Sequence, residues 1–118
     1  MTDRELLEAA ALAAGLHEDW PAPHYGVQWN GDGLWCFGNG EGLLWNPLTD
    51  DGDALRLAVA LRIRIGGIDQ RAVAFAGALE CWELERGDPC AATRRAIVRA
   101  AAAMGQDTET DALRRRKD

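Results

Sequence analysis

Three helix-start signals divide this chain, and the stretches between them are short, glycine-bounded runs that suit strands. Thr2-Asp3-Arg4-Glu5 matches the capping box, in which a Thr hydroxyl and a Glu carboxylate satisfy each other's backbone amides. Leu6, Ala10 and Ala13 then recur on one face, with Leu7, Ala11 and Ala14 beside it. Gly15 sits where a left-handed C′ residue belongs and Leu16 follows as its apolar contact, so the spacing predicts a helix over 3–14. Thr49 or Asp50 caps a second helix over 51–61, and Asp50, Asp51 and Asp53 favour its positive end. Leu55, Ala58 and Val59 are expected inward, flanked by Leu57 and Leu61. Asp88 caps a third helix with Pro89 at N1, where a missing amide costs nothing. Thr93, Ile97, Ala100, Ala101 and Met104 form its stripe, and Gly105 is expected to end it.

The intervening runs read as strands. Tyr25 to Trp29 alternates apolar and polar residues, Asn30-Gly31-Asp32-Gly33 is a strong turn signal, and Leu34 to Phe37 returns. Gly38 to Gly42 is a second turn before Leu43-Leu44-Trp45. After the second helix, Arg62 to Ile65 alternates, Gly66-Gly67 reads as a turn, and Ala72 to Phe75 and Leu79 to Glu85 read as further strands. The order helix, strands, helix, strands, helix predicts an α+β domain with a mainly antiparallel sheet covered by about three helices.

At 118 residues there is room for one domain, expected over 1–105, with 106–118 as a charged, flexible tail. No apolar run reaches the roughly 20 residues that span a bilayer. The polar opening Met1 to Glu5 is unlike a secretory leader, so the cytoplasm is the expected compartment. The net charge of −6 is uneven: residues 1–60 carry ten acidic and two basic side chains, residues 61–118 nine acidic and eleven basic. Phosphate binding needs Lys and Arg, so any nucleic-acid surface belongs to the second half. Cys36, Cys81 and Cys90 form no C-x-x-C pair and read as free thiols.

The motifs of catalysis are missing from the sequence. No P-loop, G-x-S-x-G or H-E-x-x-H occurs. Gly38-x-Gly40-x-Gly42 runs into Leu43 to Pro47 rather than opening a helix, so it reads as a hairpin turn and not a phosphate loop. Asp51-Gly52-Asp53 lacks the closing Glu of a calcium loop. His17, His24 and Cys36 share no local signature, and only their meeting in one pocket with a carboxylate would mark an enzyme. No catalytic residue, metal site or cofactor is expected. Of five tryptophans, Trp29 and Trp35 flank one turn and are expected on one face as core, while Trp20, beside Pro21, is the candidate for an exposed contact.

Three stretches carry a resemblance. The opening Met1 to Leu7, the segment Trp45-Asn46-Pro47-Leu48-Thr49-Asp50-Asp51-Gly52-Asp53-Ala54-Leu55-Arg56-Leu57-Ala58, and the run Ala91 to Ala102 resemble the phage ABA sandwich domain family of small phage and prophage proteins, similar to NinX-type proteins. The resemblance implies a three-layer helix–sheet–helix fold and a temperate-phage origin. It carries no catalytic residue across. The functional expectation is non-catalytic binding of a host or phage protein, as in an anti-defence inhibitor of the anti-CRISPR kind, by a monomer or small homo-oligomer. Its candidate contacts are Asp32, Glu41, Asp50, Asp51, Asp53 and Trp20. The alternative is a nucleic-acid-associated accessory protein using Arg94, Arg95, Arg99, Arg114, Arg115 and Arg116, against which the overall acidity counts.

Overall fold

A computed structural model describes residues 1–15, 26–29, 31–38 and 41–116, with backbone alone at 26–28, 35–38, 41–43 and 107–116. Its elements run α1 (Asp3–Ala13), β1 (Gly26–Trp29), β2 (Leu34–Gly38), β3 (Glu41–Trp45), α2 (Asp51–Leu61), β4 (Arg64–Ile68), β5 (Arg71–Ala76), β6 (Leu79–Leu84) and α3 (Pro89–Arg116). The described strands form two three-stranded antiparallel sheets, β1-β2-β3 and β4-β5-β6. The mixed α+β class with three helices is as the sequence predicts.

The helix starts follow their caps. Thr2 accepts from the Glu5 amide at 3.1 Å, and Glu5 accepts from the Thr2 amide at 3.0 Å. Gly15 takes a φ of 82° just beyond the C-cap Ala14. Asp50 caps α2 by accepting from the Asp53 amide at 2.8 Å, and Asp88 caps α3 by accepting from the Ala91 amide at 3.0 Å.

The end of α3 corrects the expected stop at Gly105: the helix runs on through residues 106–116. Gly105 is a close-approach residue, because a Cβ there would overlap the backbone of Ala9 in α1. Between Ala96 and Ala102 the helix is buried on nearly every side, with Ala96, Ile97, Val98, Ala100, Ala101 and Ala102 in the core. A helix apolar all round sits in the middle of a fold. Accordingly α1 and α2 pack on α3, and β5 and β6 lie against it. The contacts among the described residues therefore do not give a sheet held between two helix layers.

Three further expectations shift. In α2 the buried set is Ala54, Leu57 and Ala58, while Leu55 and Val59 are exposed, so the inward face is turned from the predicted one. Gly66-Gly67 is no turn: β4 continues through it, and the hairpin turns at Asp69 and Gln70, whose φ values of 50° and 60° fit a type I′ turn. In the first sheet Trp29 pairs with Leu34 and Leu34 with Trp45. Opposed residues share a face, and Trp29 and Trp45 pack against the core beside buried Leu34. Trp35 pairs with Gln28 and so lies on the other face from Trp29, against the expectation that the two share one.

Candidate functional site

The nominated arginines Arg94, Arg95 and Arg99 each meet a carboxylate, and of those carboxylates only Asp51 was itself nominated. Arg94 donates from Nη1 to Asp51 at 2.6 Å and from Nε to the Leu48 carbonyl at 2.8 Å. Arg95 donates to Asp3 at 3.1 Å and stands 3.7 Å from Glu83. Arg99 donates to Glu83 at 2.9 Å and to the Trp82 carbonyl at 3.0 Å. The three arginines proposed as a basic stripe thus tie α3 to α2, α1 and β6. Asp53 accepts from the Asn46 amide at 3.0 Å and from Arg56 at 2.7 Å, and its side chain is only 14% exposed. Asp50 is the cap. The Asp32 carbonyl accepts from Asn46 Nδ2 at 2.6 Å. Asp50, Asp51 and Asp53 therefore gather at one helix end, with Asp32 reaching the same loop through Asn46. Glu41 is described only as the strand position opposite Gly38, and Arg114, Arg115 and Arg116 only as helical backbone. Trp20, His17 and His24 lie outside the described residues, as does the side chain of Cys36.

A different surface stands out on the second sheet. Register places Arg64, Phe75 and Glu80 in one row, Gly66, Val73 and Trp82 in the next, and Ile68, Arg71 and Leu84 in the third, all on one face. The alternate residues Ala72, Ala74, Cys81 and Glu83 make the inner face: the first three are buried, and Glu83 reaches the α3 arginines. On the outer face Trp82 is 40%, Leu84 55% and Ile68 59% exposed. The Arg64 guanidinium lies 5.8 Å from the Phe75 ring centre, a cation–π distance. Exposed large apolar side chains grouped on one face are uncommon on a solitary protein and mark contact surfaces. The sequence signal for this face was available in the alternation of Trp82 and Leu84 with Glu83, but it was hidden while Gly66-Gly67 read as a turn.

A groove of about 240 Å³ opens beside β4, lined by Ala54 and Leu55 of α2, Ile65, and Cys90 and Ile97 of α3. Cys90 is exposed and Cys81 buried, both as free thiols. Burial, with the Glu83 charge adding to it and Arg99 opposing, pushes the Cys81 thiol above its ordinary value. Among the described residues no three His, Cys, Asp or Glu side chains gather as metal ligands, and no helix is long and apolar enough to cross a membrane. Comparison with protein-family models, with curated proteins and with solved structures gives no match to this chain.

Proposed function

We propose that this chain is a small non-catalytic binding protein, of phage or prophage origin as its motif resemblance implies, and that it holds another protein against the outer face of β4-β5-β6. The supporting observation is the grouping of half-exposed Trp82, Leu84 and Ile68 around buried Val73, with Arg64 and Arg71 at the two ends of that face. Aromatic and arginine side chains are the usual anchors of protein interfaces. The acidic residues Asp50, Asp51 and Asp53 are engaged in holding α2 in place, which makes them weaker candidates for the main contact. In the inhibitor version of this reading, the bound protein is a host or phage nucleic-acid machine.

The test captures partners of the tagged full chain from bacterial and phage-infected lysates. A stoichiometric partner lost by the Trp82→Ser/Leu84→Ser double variant, with melting unchanged, is the expected result. A partner retained by that double variant but lost by Asp51→Arg overturns the assignment and returns the contact to the acidic end of α2.

A further inference from the structure

The two edges of the second sheet are unlike. At β6 the Arg99 guanidinium donates to the Trp82 carbonyl, so one outward group of that edge is taken. At β4 all five residues, Arg64-Ile65-Gly66-Gly67-Ile68, are exposed, and no described group pairs with their outward backbone. Folded proteins blunt such an edge with lysine, proline, a bulge or a covering segment, because unpaired N–H and C=O groups recruit another strand. β4 has no lysine, proline or bulge, and its one charged side chain is Arg64 at its first position. It has instead two glycines, which let another backbone approach, between two isoleucines, of which Ile65 is 48% exposed.

The chemistry beside this edge is self-complementary. Leu55 lines the groove with Ile65, and Val59 lies one helical turn further along α2, with both side chains largely exposed. Arg62 and Arg64 stand at the start of β4 and Asp69 just past its end, and none of the three has an ion-pair partner among the described residues. Antiparallel pairing of β4 with β4 of a second copy runs each Arg62–Arg64 end alongside the other copy's Asp69. Centred on Gly66, it sets Arg64 across from Ile68 and Ile65 across from Gly67, with no like charges opposed. The two α2 helices then lie on the same side of the joined sheet, where Leu55 and Val59 of each copy can meet. A two-fold contact of this kind uses one patch twice and closes on itself.

We propose that two copies of this chain join edge to edge through β4, antiparallel, with Leu55 and Val59 of α2 closing the contact, to make one six-stranded sheet. This surface is separate from the outer-face partner contact proposed above, and its test does not need that partner. Sedimentation velocity of the full chain between 1 and 200 μM is the experiment (concentrations on the order of ordinary dimer constants). The expected result is a species of twice the 12.8 kDa chain mass. Ile65→Lys and, separately, Val59→Glu shift it to monomer by raising the dissociation constant at least tenfold, with circular dichroism and melting of the monomer intact. Hydrogen exchange of the β4 amides slows as concentration rises. A wild-type chain that stays monomeric to 200 μM overturns the proposal. So does a dimer that both variants leave intact, or one dissolved by Trp82→Ser instead, which places the contact on the outer face.

Discussion

Gly105 of α3 lies directly on the backbone of Ala9 in α1: a Cβ on Gly105 would overlap the Ala9 carbonyl oxygen and stand 2.8 Å from its carbon. Neither backbone can yield without parting the two helices. Gly105→Ala is therefore expected to destabilise the fold by about 3 kcal/mol, the upper end of overpacking costs, despite the better helix propensity of alanine. Thermal melting checks this, and an unchanged or raised Tm contradicts the packing described.

Asp50 and Asp53 are structural before they are anything else. Asp50→Ala removes the α2 cap and is expected to cost about 1 kcal/mol. Asp53→Ala leaves the half-buried Asn46 amide without its acceptor and costs about 1–3 kcal/mol. Urea titration measures both losses, and an unchanged midpoint in either variant contradicts the contact it removes.

The β4–β5 turn carries removable strain. Asp69 and Gln70 both hold positive φ without being glycine. Gln70→Gly is expected to stabilise by about 1 kcal/mol, since it relieves a left-handed side chain in a type I′ position. Equilibrium unfolding reads the gain, and a loss would show that the Gln70 side chain makes a contact of its own.

The described thiols differ in reach. Cys90 is exposed at the first turn of α3, whereas Cys81 is buried and its thiol is held above the ordinary value. A maleimide at neutral pH is expected to modify Cys90 fast and Cys81 only on the timescale of unfolding, because the thiolate is the reacting form. Peptide mapping after timed quenching decides it. Glu83→Gln removes a neighbouring negative charge that holds the Cys81 thiol up, so its pKa falls.

Hydrogen bonds from the Thr2 amide and hydroxyl hold the Glu5 carboxyl below its ordinary value of 4.5. A lowered folded pKa adds stability above the unfolded pKa, and that stability is lost as pH falls through the folded value. The Tm difference between wild type and Glu5→Gln is thus expected to be largest above about pH 5 and to close on acidification. A gap that widens in acid contradicts the capping geometry.

What the sequence made legible was local. The caps at Thr2, Asp50 and Asp88 fixed three helix starts, because a cap is decided within four residues. Gly105 misled because a glycine after a helical stripe reads as a stop, and only the approach of Ala9, ninety-odd residues away in the chain, shows why it is there. In α2 the sets Ala54–Leu57–Ala58 and Leu55–Val59 are both helically spaced, and the larger side chains, which read as core, face out. The partners of the nominated arginines were hidden for the same reason. Arg94 meets Asp51 and Arg95 meets Asp3 across 43 and 92 residues of sequence, and no spacing rule reports such pairings.

The wrapping of α3 also sets an order of events. A chain leaving the ribosome presents α1 well before α3, and the surface that buries Leu7 and Ala10 is supplied in large part by α3. Until α3 has emerged, α1 and the inner face of β5 and β6 hold their apolar side chains open to water. The packing of α1 and of the second sheet therefore waits on α3, however early their own hydrogen bonds form.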